Sequence, residues 1–159
     1  MRRKTWQAIG ALIGMSGPRV PVEEPKKPVA KPVPYKLAKP TKPLILLEAT
    51  VNGKGPYRFV LDTGASLTMI SPELAKKLDI KHAEAEKGVG AGGGVEVHFG
   101  TVESLAIGET RLKGLKVGIM DLTGIAKAIE TDIDGIVGHN FLSKFRVSID
   151  YPKQTVTFE

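Results

Sequence analysis

Asp62 stands where an apolar run gives way to a turn, and it is the one carboxylate of this 159-residue chain so placed with chemistry in view. Phe59, Val60 and Leu61 are β-formers with no polar break, so they read as a buried strand that delivers Asp62 into a turn made by Thr63 and Gly64. A carboxylate held at a strand end can act as general base toward water or as general acid toward a carbonyl. Asp is also a common turn residue, and an Asp that merely caps the turn before Ser66 and Leu67 is the plain alternative. A later segment adds weight to the first. Asp134-Gly135-Ile136-Val137-Gly138-His139-Asn140-Phe141-Leu142 repeats the plan of an apolar pair closed by glycine and followed by a short helix.

Together the two segments resemble the retropepsin-like aspartic proteases, in which a strand ending in Asp-Thr-Gly carries the catalytic carboxylate. Gly88 to Glu96, Asp134 to Leu142 and Ile149-Asp150-Tyr151-Pro152 look more closely like the small bacterial single-domain branch, and the resemblance covers residues 44–159. It implies an all-β fold with two or three short helices, a retropepsin-like closed β barrel of the acid protease fold, with one lobe per chain. It also implies a catalytic Asp62 in an active-site loop of Thr63, Gly64 and Ala65. A flap would run through Gly90, Ala91, Gly92 and Gly93, and pocket walls would come from Leu67, Ile136 and Val137. Val and Ile in a buried strand need no functional explanation, however, so Ile136 and Val137 read equally well as core beneath the loop. The implied activity is that of an aspartic endopeptidase without metal or cofactor, acting on a peptide or protein substrate that lies extended as an added strand.

Hydrolysis by this route uses two Asp groups sharing one proton. The chain supplies one Asp-Thr-Gly. Asp132 and Asp134 are the rivals, but Ile133 and Gly135 give them no matching turn, and Gly138 follows Ile136-Val137. The resemblance therefore implies a homodimer with one Asp62 from each copy. Thr63 would hydrogen-bond to the partner's backbone across the axis, and Gly64 would leave its amide open toward the carboxylate. Pepsin-like relatives often place a hydroxyl at the position of Ala65 to donate to the ionised carboxylate. Alanine cannot, which sets the expectation of activity at mildly acidic pH. In retroviral members an Arg near His139 braces the dimer, a role histidine could fill only when protonated. A different class stays open: a peptide-binding or scaffold module that keeps the fold without turnover.

Gly88, Gly90 and Gly93 also satisfy the dinucleotide pattern G-x-G-x-x-G. That fingerprint must follow a strand and open a helix. Here the charged stretch Glu84 to Lys87 precedes it and a strand, Val95 to Phe99, follows, so a mobile hairpin tip or an ordinary flexible connection fits better. His82, His98 and His139 lack ligand spacing for zinc. Asp132-x-Asp134-Gly135 lacks the third ligand and distal Glu of a calcium loop and reads as a solvated loop.

The elements that must hold Asp62 are mostly strands. Leu44 to Val51 and Tyr57 to Leu61 form a hairpin through Asn52-Gly53-Lys54-Gly55-Pro56. Ser71-Pro72-Glu73 opens a helix to Leu78 with serine as cap. Val95 to Phe99, Val102 to Ile107 and Leu112 to Met120 read as strands, Phe141 to Phe145 as a short helix, and Arg146 to Asp150 with Thr155 to Phe158 as a closing hairpin.

Composition divides the chain near Pro43. Residues 1–43 hold eight of the 11 prolines and ten Lys or Arg against two Glu, whereas residues 44–159 hold thirteen Lys or Arg against fifteen Asp or Glu. The overall charge of +6 thus lies on a proline-rich segment with Tyr35 as its lone aromatic past the first few residues, a pattern that disfavours nucleic-acid binding. Residues 18–43 read as an extended, disordered linker that could span on the order of 80 Å. Residues 1–17, with Arg2, Arg3 and Lys4 before Trp6 to Met15, read either as a short secretory signal or as a frayed amphipathic helix. The first favours export or the cell envelope over the cytoplasm. Any membrane contact would fall to this segment, which is short of the roughly 20 apolar residues of a span. With no cysteine, thiol catalysis, disulfides and a lipoprotein anchor are excluded.

Overall fold

Direct pairing of β4 with β9, within a sheet that closes into a ring, brings the two glycine-closed segments together. The computed structural model describes residues 30–39, 41–90 and 93–159. In chain order these form β1 (Val33–Pro34), β2 (Lys36–Lys39), β3 (Lys42–Val51), β4 (Lys54–Leu61), β5 (Met69–Ile70), α1 (Pro72–Lys77), β6 (His82–Gly90), β7 (Gly93–Ile107), β8 (Thr110–Ile119), α2 (Thr123–Ile129), β9 (Gly135–Val137), α3 (His139–Leu142), β10 (Val147–Asp150) and β11 (Thr155–Phe158). The large sheet has the order β2-β3-β4-β9-β5-β8-β7-β6, and a further pairing of Thr50 with Ala106 and Val51 with Leu105 joins β3 to β7. That pairing closes a ring of strands, with β2 and β6 outside it. The architecture is the one expected, mostly β with three short helices.

Alternation fills the ring. Tyr57, Phe59 and Leu61 of β4 join Ile45, Leu47, Ala49 and Val51 of β3, Val102, Leu105 and Ile107 of β7, and Val137 of β9 in one core. The β3–β4 hairpin turns on Asn52 and Gly53, whose φ values of 52° and 73° suit the right-handed twist of a two-residue turn. Asn52 then ties the turn to β7: its amide donates to the Ser104 carbonyl at 2.8 Å, and its Oδ1 accepts from the Ser104 amide at 3.2 Å. α1 begins as its sequence predicts, with Ser71 Oγ accepting from the Leu74 amide at 3.1 Å and Pro72 in the first turn.

A small second sheet, β1-β11-β10, seats the end of the chain. Its β10–β11 hairpin pairs as expected, Val147 with Phe158 through Asp150 with Thr155. Phe141, Phe145 and Phe158 meet with ring centroids 5.3–6.1 Å apart, which docks α3 on β11.

Four expectations change. The linker foreseen through Pro43 stops short of it. Val33–Pro34 pairs with β11, Lys36–Lys39 pairs with β3, and Tyr35 between them is 4 % exposed. Val33, Tyr35 and Leu37 alternate inward and bury enough apolar surface to order the segment, and Pro34 is tolerated because β1 is an edge strand. The helix placed at Phe141–Phe145 spans His139–Leu142 instead, because Gly138 has extended backbone and caps it. The strands read as Val95–Phe99 and Val102–Ile107 are one continuous strand, β7. Neither α2 nor β6 was foreseen. Residues 1–29 lie outside the described residues, and so do Ala91 and Gly92. Among the described residues no helix is long and apolar enough to cross a membrane.

Candidate active site

β4 and β5 flank β9, which runs parallel to β4 (Phe59 beside Gly135, Leu61 beside Val137) and antiparallel to β5 (Met69 opposite Ile136). The loop from Asp62 to Thr68 therefore starts and ends on either side of one inserted strand. The ladder runs on for one more residue, since the Asp62 amide donates to the Val137 carbonyl at 3.1 Å. The turn follows at once. The Gly64 amide donates to Asp62 Oδ1 at 2.8 Å, and a Cβ on Gly64 would come within 3.2 Å of that oxygen. Glycine here lets backbone, not side chain, face the carboxylate. Asp62 is part-buried, and Thr63 and Gly64 are exposed.

The second glycine-closed segment buttresses this loop. The His139 amide donates to the Ala65 carbonyl at 2.7 Å and the Asn140 amide to the Ser66 carbonyl at 3.3 Å. Thr68, wholly buried, donates its hydroxyl to Asn140 Oδ1 at 2.8 Å, while its Oγ1 accepts from the Gly138 amide at 3.2 Å. Asn140 Nδ2 in turn donates to the Lys116 carbonyl of β8 at 2.8 Å. Close approach dictates both glycines of Gly135-Ile136-Val137-Gly138. A Cβ at 135 would stand 2.2 Å from Phe59 Cε1, and one at 138 would stand 2.4 Å from the Leu67 carbonyl oxygen. Thr68 was not singled out from sequence, although a hydroxyl between the apolar Leu67 and Met69 was a signal of a buried polar contact.

Asp134 is not in a merely solvated loop. Its Oδ2 accepts from the Arg58 amide at 2.8 Å, its own amide donates to the Arg58 carbonyl at 2.8 Å, and its carbonyl accepts from the Ser71 amide at 2.9 Å. Arg58 also reaches the Asp132 carbonyl at 3.1 Å. Asp134 thus sets the register of β9 from the end remote from Asp62. Opposite Arg58, it lies four residues up the ladder, about 13 Å at the rise of a strand.

Of the foreseen pocket walls, Leu67 is part-buried beside the turn, whereas Val137 (0 % exposed) and Ile136 (6 %) are core and offer no wall. They point to opposite sides of the sheet. Val137 belongs to the interior of the ring, and Ile136 belongs to a second cluster with Leu46, Val60, Leu122, Ile129 and Ile133 that α2 covers. β6 and β7 form a hairpin in which Gly88, Val89 and Gly90 face Val95, Gly94 and Gly93. A strand thus does precede the glycine-rich run, contrary to the sequence reading, but a strand and not a helix follows it, so the dinucleotide pattern still lacks its anion-binding helix end. Among the described residues no three His, Asp or Glu side chains gather as metal ligands.

A family profile described as aspartyl protease matches residues 47–141, a stretch that takes in Asp62, the β6–β7 hairpin and the Gly138 buttress. The chain belongs to the aspartyl protease family. A search of curated proteins finds no match. Among solved structures, a retropepsin-like aspartic protease from Rickettsia conorii is similar at 19 % identity, with a TM-score of 0.52 over 82 % of this chain and 87 % of that one. The EIAV protease in complex with the inhibitor HBY-793 is similar at 20 % identity, with a TM-score of 0.44 over 64 % of this chain and 86 % of that one. At such identities the likeness is one of fold, and the aspartyl protease assignment of this chain rests on the profile.

Proposed function

We propose that this aspartyl protease family member is an endopeptidase that works as a homodimer, each copy bringing its Asp62 to a shared two-fold axis. The observation that carries the reading is the pairing of an intact Asp62-Thr63-Gly64 turn with the lack, among the described residues, of a second carboxylate beside it. Asp134 lies about 13 Å away by strand geometry and is committed to the Arg58 backbone. A symmetric second copy supplies the missing group most directly. One Asp62 carboxylate, ionised, takes a proton from water as the oxygen attacks the scissile carbonyl carbon. The other, protonated, gives its proton to the carbonyl oxygen. Collapse of the tetrahedral intermediate breaks the C–N bond, with the proton passed to the leaving amine. The β6–β7 hairpin, in which Gly90 pairs with Gly93, closes over an extended peptide that adds as a strand. Thr63, exposed at the base of the turn, braces the partner's loop.

The test is incubation of the full chain with a mixed peptide library, with and without a pepstatin-type inhibitor, beside Asp62→Asn and with sedimentation at the assay concentration. Cleavage by the parent alone, blocked by inhibitor and accompanied by a dimer, is expected. Peptide retention without cleavage would show a binding module instead, and an active monomer would refute the shared-carboxylate mechanism.

A further inference from the structure

We infer that the proline-rich segment ahead of β1 docks on its own domain, in a cavity at a gap in the ring, with Glu23 and Glu24 against Lys81 and Lys116 and with Lys26 and Lys27 against Asp79 and Glu103. The gap follows from the pairing of β7. That strand lies along β6 as far as Gly100 and along β3 from Leu105, so residues 101–103 have no strand on that side among the described residues. A cavity of about 560 Å³ opens there, lined by Asn52 of the β3–β4 turn, by residues 78–81 after α1 and by the uncovered stretch of β7. Its walls sit close at Gly100, where a Cβ would stand 3.0 Å from the Lys81 carbonyl oxygen. The cavity is apart from the candidate active site. The 8 residues of β4 separate the Asn52 turn from Asp62, roughly 25 Å at the rise of a strand.

The lining is charged in both senses. Asp79, Lys81, Glu103 and Lys116 are exposed around the cavity, with Lys116 Nζ 4.5 Å from the centroid of the Phe99 ring, and among the described residues none of the four enters an ion pair. Two cations and two carboxylates without partners suit a ligand that carries both signs in turn. The chain itself has such a ligand. Residues 18–29 read Pro-Arg-Val-Pro-Val-Glu-Glu-Pro-Lys-Lys-Pro-Val, in which Glu23 and Glu24 are the only acids of residues 1–43 and Lys26 and Lys27 follow across Pro25. The reach matches as well. The segment lies outside the described residues, which begin at Ala30, and Lys31 is ion-paired to Glu109, six residues along β7 from Glu103 or about 20 Å. Glu24 stands seven residues before Lys31, about 22 Å in the extended form that prolines favour. A segment already extended loses little freedom on docking, and a tether this short keeps it near the cavity at an effective concentration on the order of millimolar. A few exposed ion pairs of modest strength are then enough to seat it.

Because the chain has no cysteine, a pair of engineered thiols reports the contact in the full-length protein. Val22→Cys with Thr101→Cys puts one thiol on the segment and one in the cavity wall. Val22→Cys with Ser148→Cys is the control: Ser148 is exposed on β10, across β11 from Val33, so an undocked tail reaches it as readily. Disulfide formation in dilute solution under mild oxidation is followed by mass spectrometry and normalised to the reaction of each thiol with a small disulfide. It is expected to be about tenfold faster at Thr101 than at Ser148, the gain of a seated tether over a wandering one. Glu23→Lys with Glu24→Lys should bring that rate down to the control's, as should Lys81→Glu with Lys116→Glu, and all four together should restore it. Added salt should slow it. Equal rates at the two positions, rates indifferent to both charge reversals, or disulfides that join two copies instead of one would overturn the inference. None of these readouts uses catalysis, so the protease reading stands or falls separately.

Discussion

Asn140 Oδ1 accepts from both the amide and the hydroxyl of Thr68, each at 2.8 Å, across 72 residues of sequence. Through this one oxygen the far end of the Asp62 loop is clamped to the start of α3. Thr68→Val keeps the shape but removes the hydroxyl, leaving the Gly138 amide without its acceptor and Asn140 with half its donors. It should lower stability by about 1–3 kcal/mol, the cost of a buried polar group left unpaired. Chemical denaturation of parent and variant measures it, and a midpoint unchanged by the substitution would show the clamp to be energetically idle.

Asp62→Asn should abolish cleavage while leaving the melting temperature nearly unchanged. The amide oxygen of asparagine can still accept from Gly64, whose bond to Asp62 Oδ1 is 2.8 Å, so the turn keeps its geometry and loses its chemistry. Circular dichroism beside the peptide-library assay separates the two effects. Residual cleavage near the parent's rate would move the catalytic role elsewhere.

Gly138→Ala places a methyl group 2.4 Å from the Leu67 carbonyl oxygen, against backbone that cannot swing aside as a side chain can. Overpacking of this kind costs about 1–3 kcal/mol or more. Because the Leu67 carbonyl belongs to the loop that follows Asp62, activity should fall further than stability does. A variant with parental turnover would mean that the loop tolerates displacement.

The strap formed by β1 and β2 should show itself in alkali, and the β10–β11 hairpin beside it in acid. Burial, with Tyr151 and Asp150 nearby, holds the Tyr35 hydroxyl above its ordinary value of 10.0. A raised value means that the folded state keeps the proton more tightly than the unfolded one. The resulting stability is full below pH 10 and is lost as pH rises through the folded-state value. Tyr35→Phe should remove that alkaline loss. It should also match or exceed the parent at neutral pH, because the hydroxyl is buried without a hydrogen-bond partner among the described residues. At the other extreme, the Lys153 amide and ammonium hold the Asp150 carboxyl below its ordinary 3.8. The stability from this group is present above that value and lost as pH falls beneath it, so Asp150→Asn should flatten the acid limb. Thermal melts across pH check both limbs.

Ala65→Ser supplies the hydroxyl that pepsin-like relatives often carry, and a donor to the charged carboxylate favours that form. The acid limb of the activity profile should move to lower pH. An acid limb unmoved by the substitution would refute this account.

Local chemistry made part of this arrangement legible in the sequence. The Asp62 turn, the Asn52-Gly53 hairpin, the Ser71 cap and the alternation of Val147, Ile149, Val156 and Phe158 each depend on neighbours a few residues away, and each was readable. The unread parts depend on distant partners. β6 carries Glu84, Glu86 and Lys87, and only its pairing with β7 reveals it as a strand. Thr123 to Ile129 contains Gly124 and has no side-chain cap on Leu122, so its helix is held by the apolar cluster beneath it more than by propensity. Tyr35 sits among prolines and lysines whose composition masked a short alternating run. Asp134 looked solvated because its acceptor role is played toward a backbone 76 residues earlier.

The insertion of β9 between β4 and β5 also has a temporal side. Leu61 and Met69 have no middle strand until Gly135 to Val137 have been synthesised and threaded between them. A nascent chain thus carries Asp62 without the strand that orients its turn until Val137 has been made, about 75 residues later.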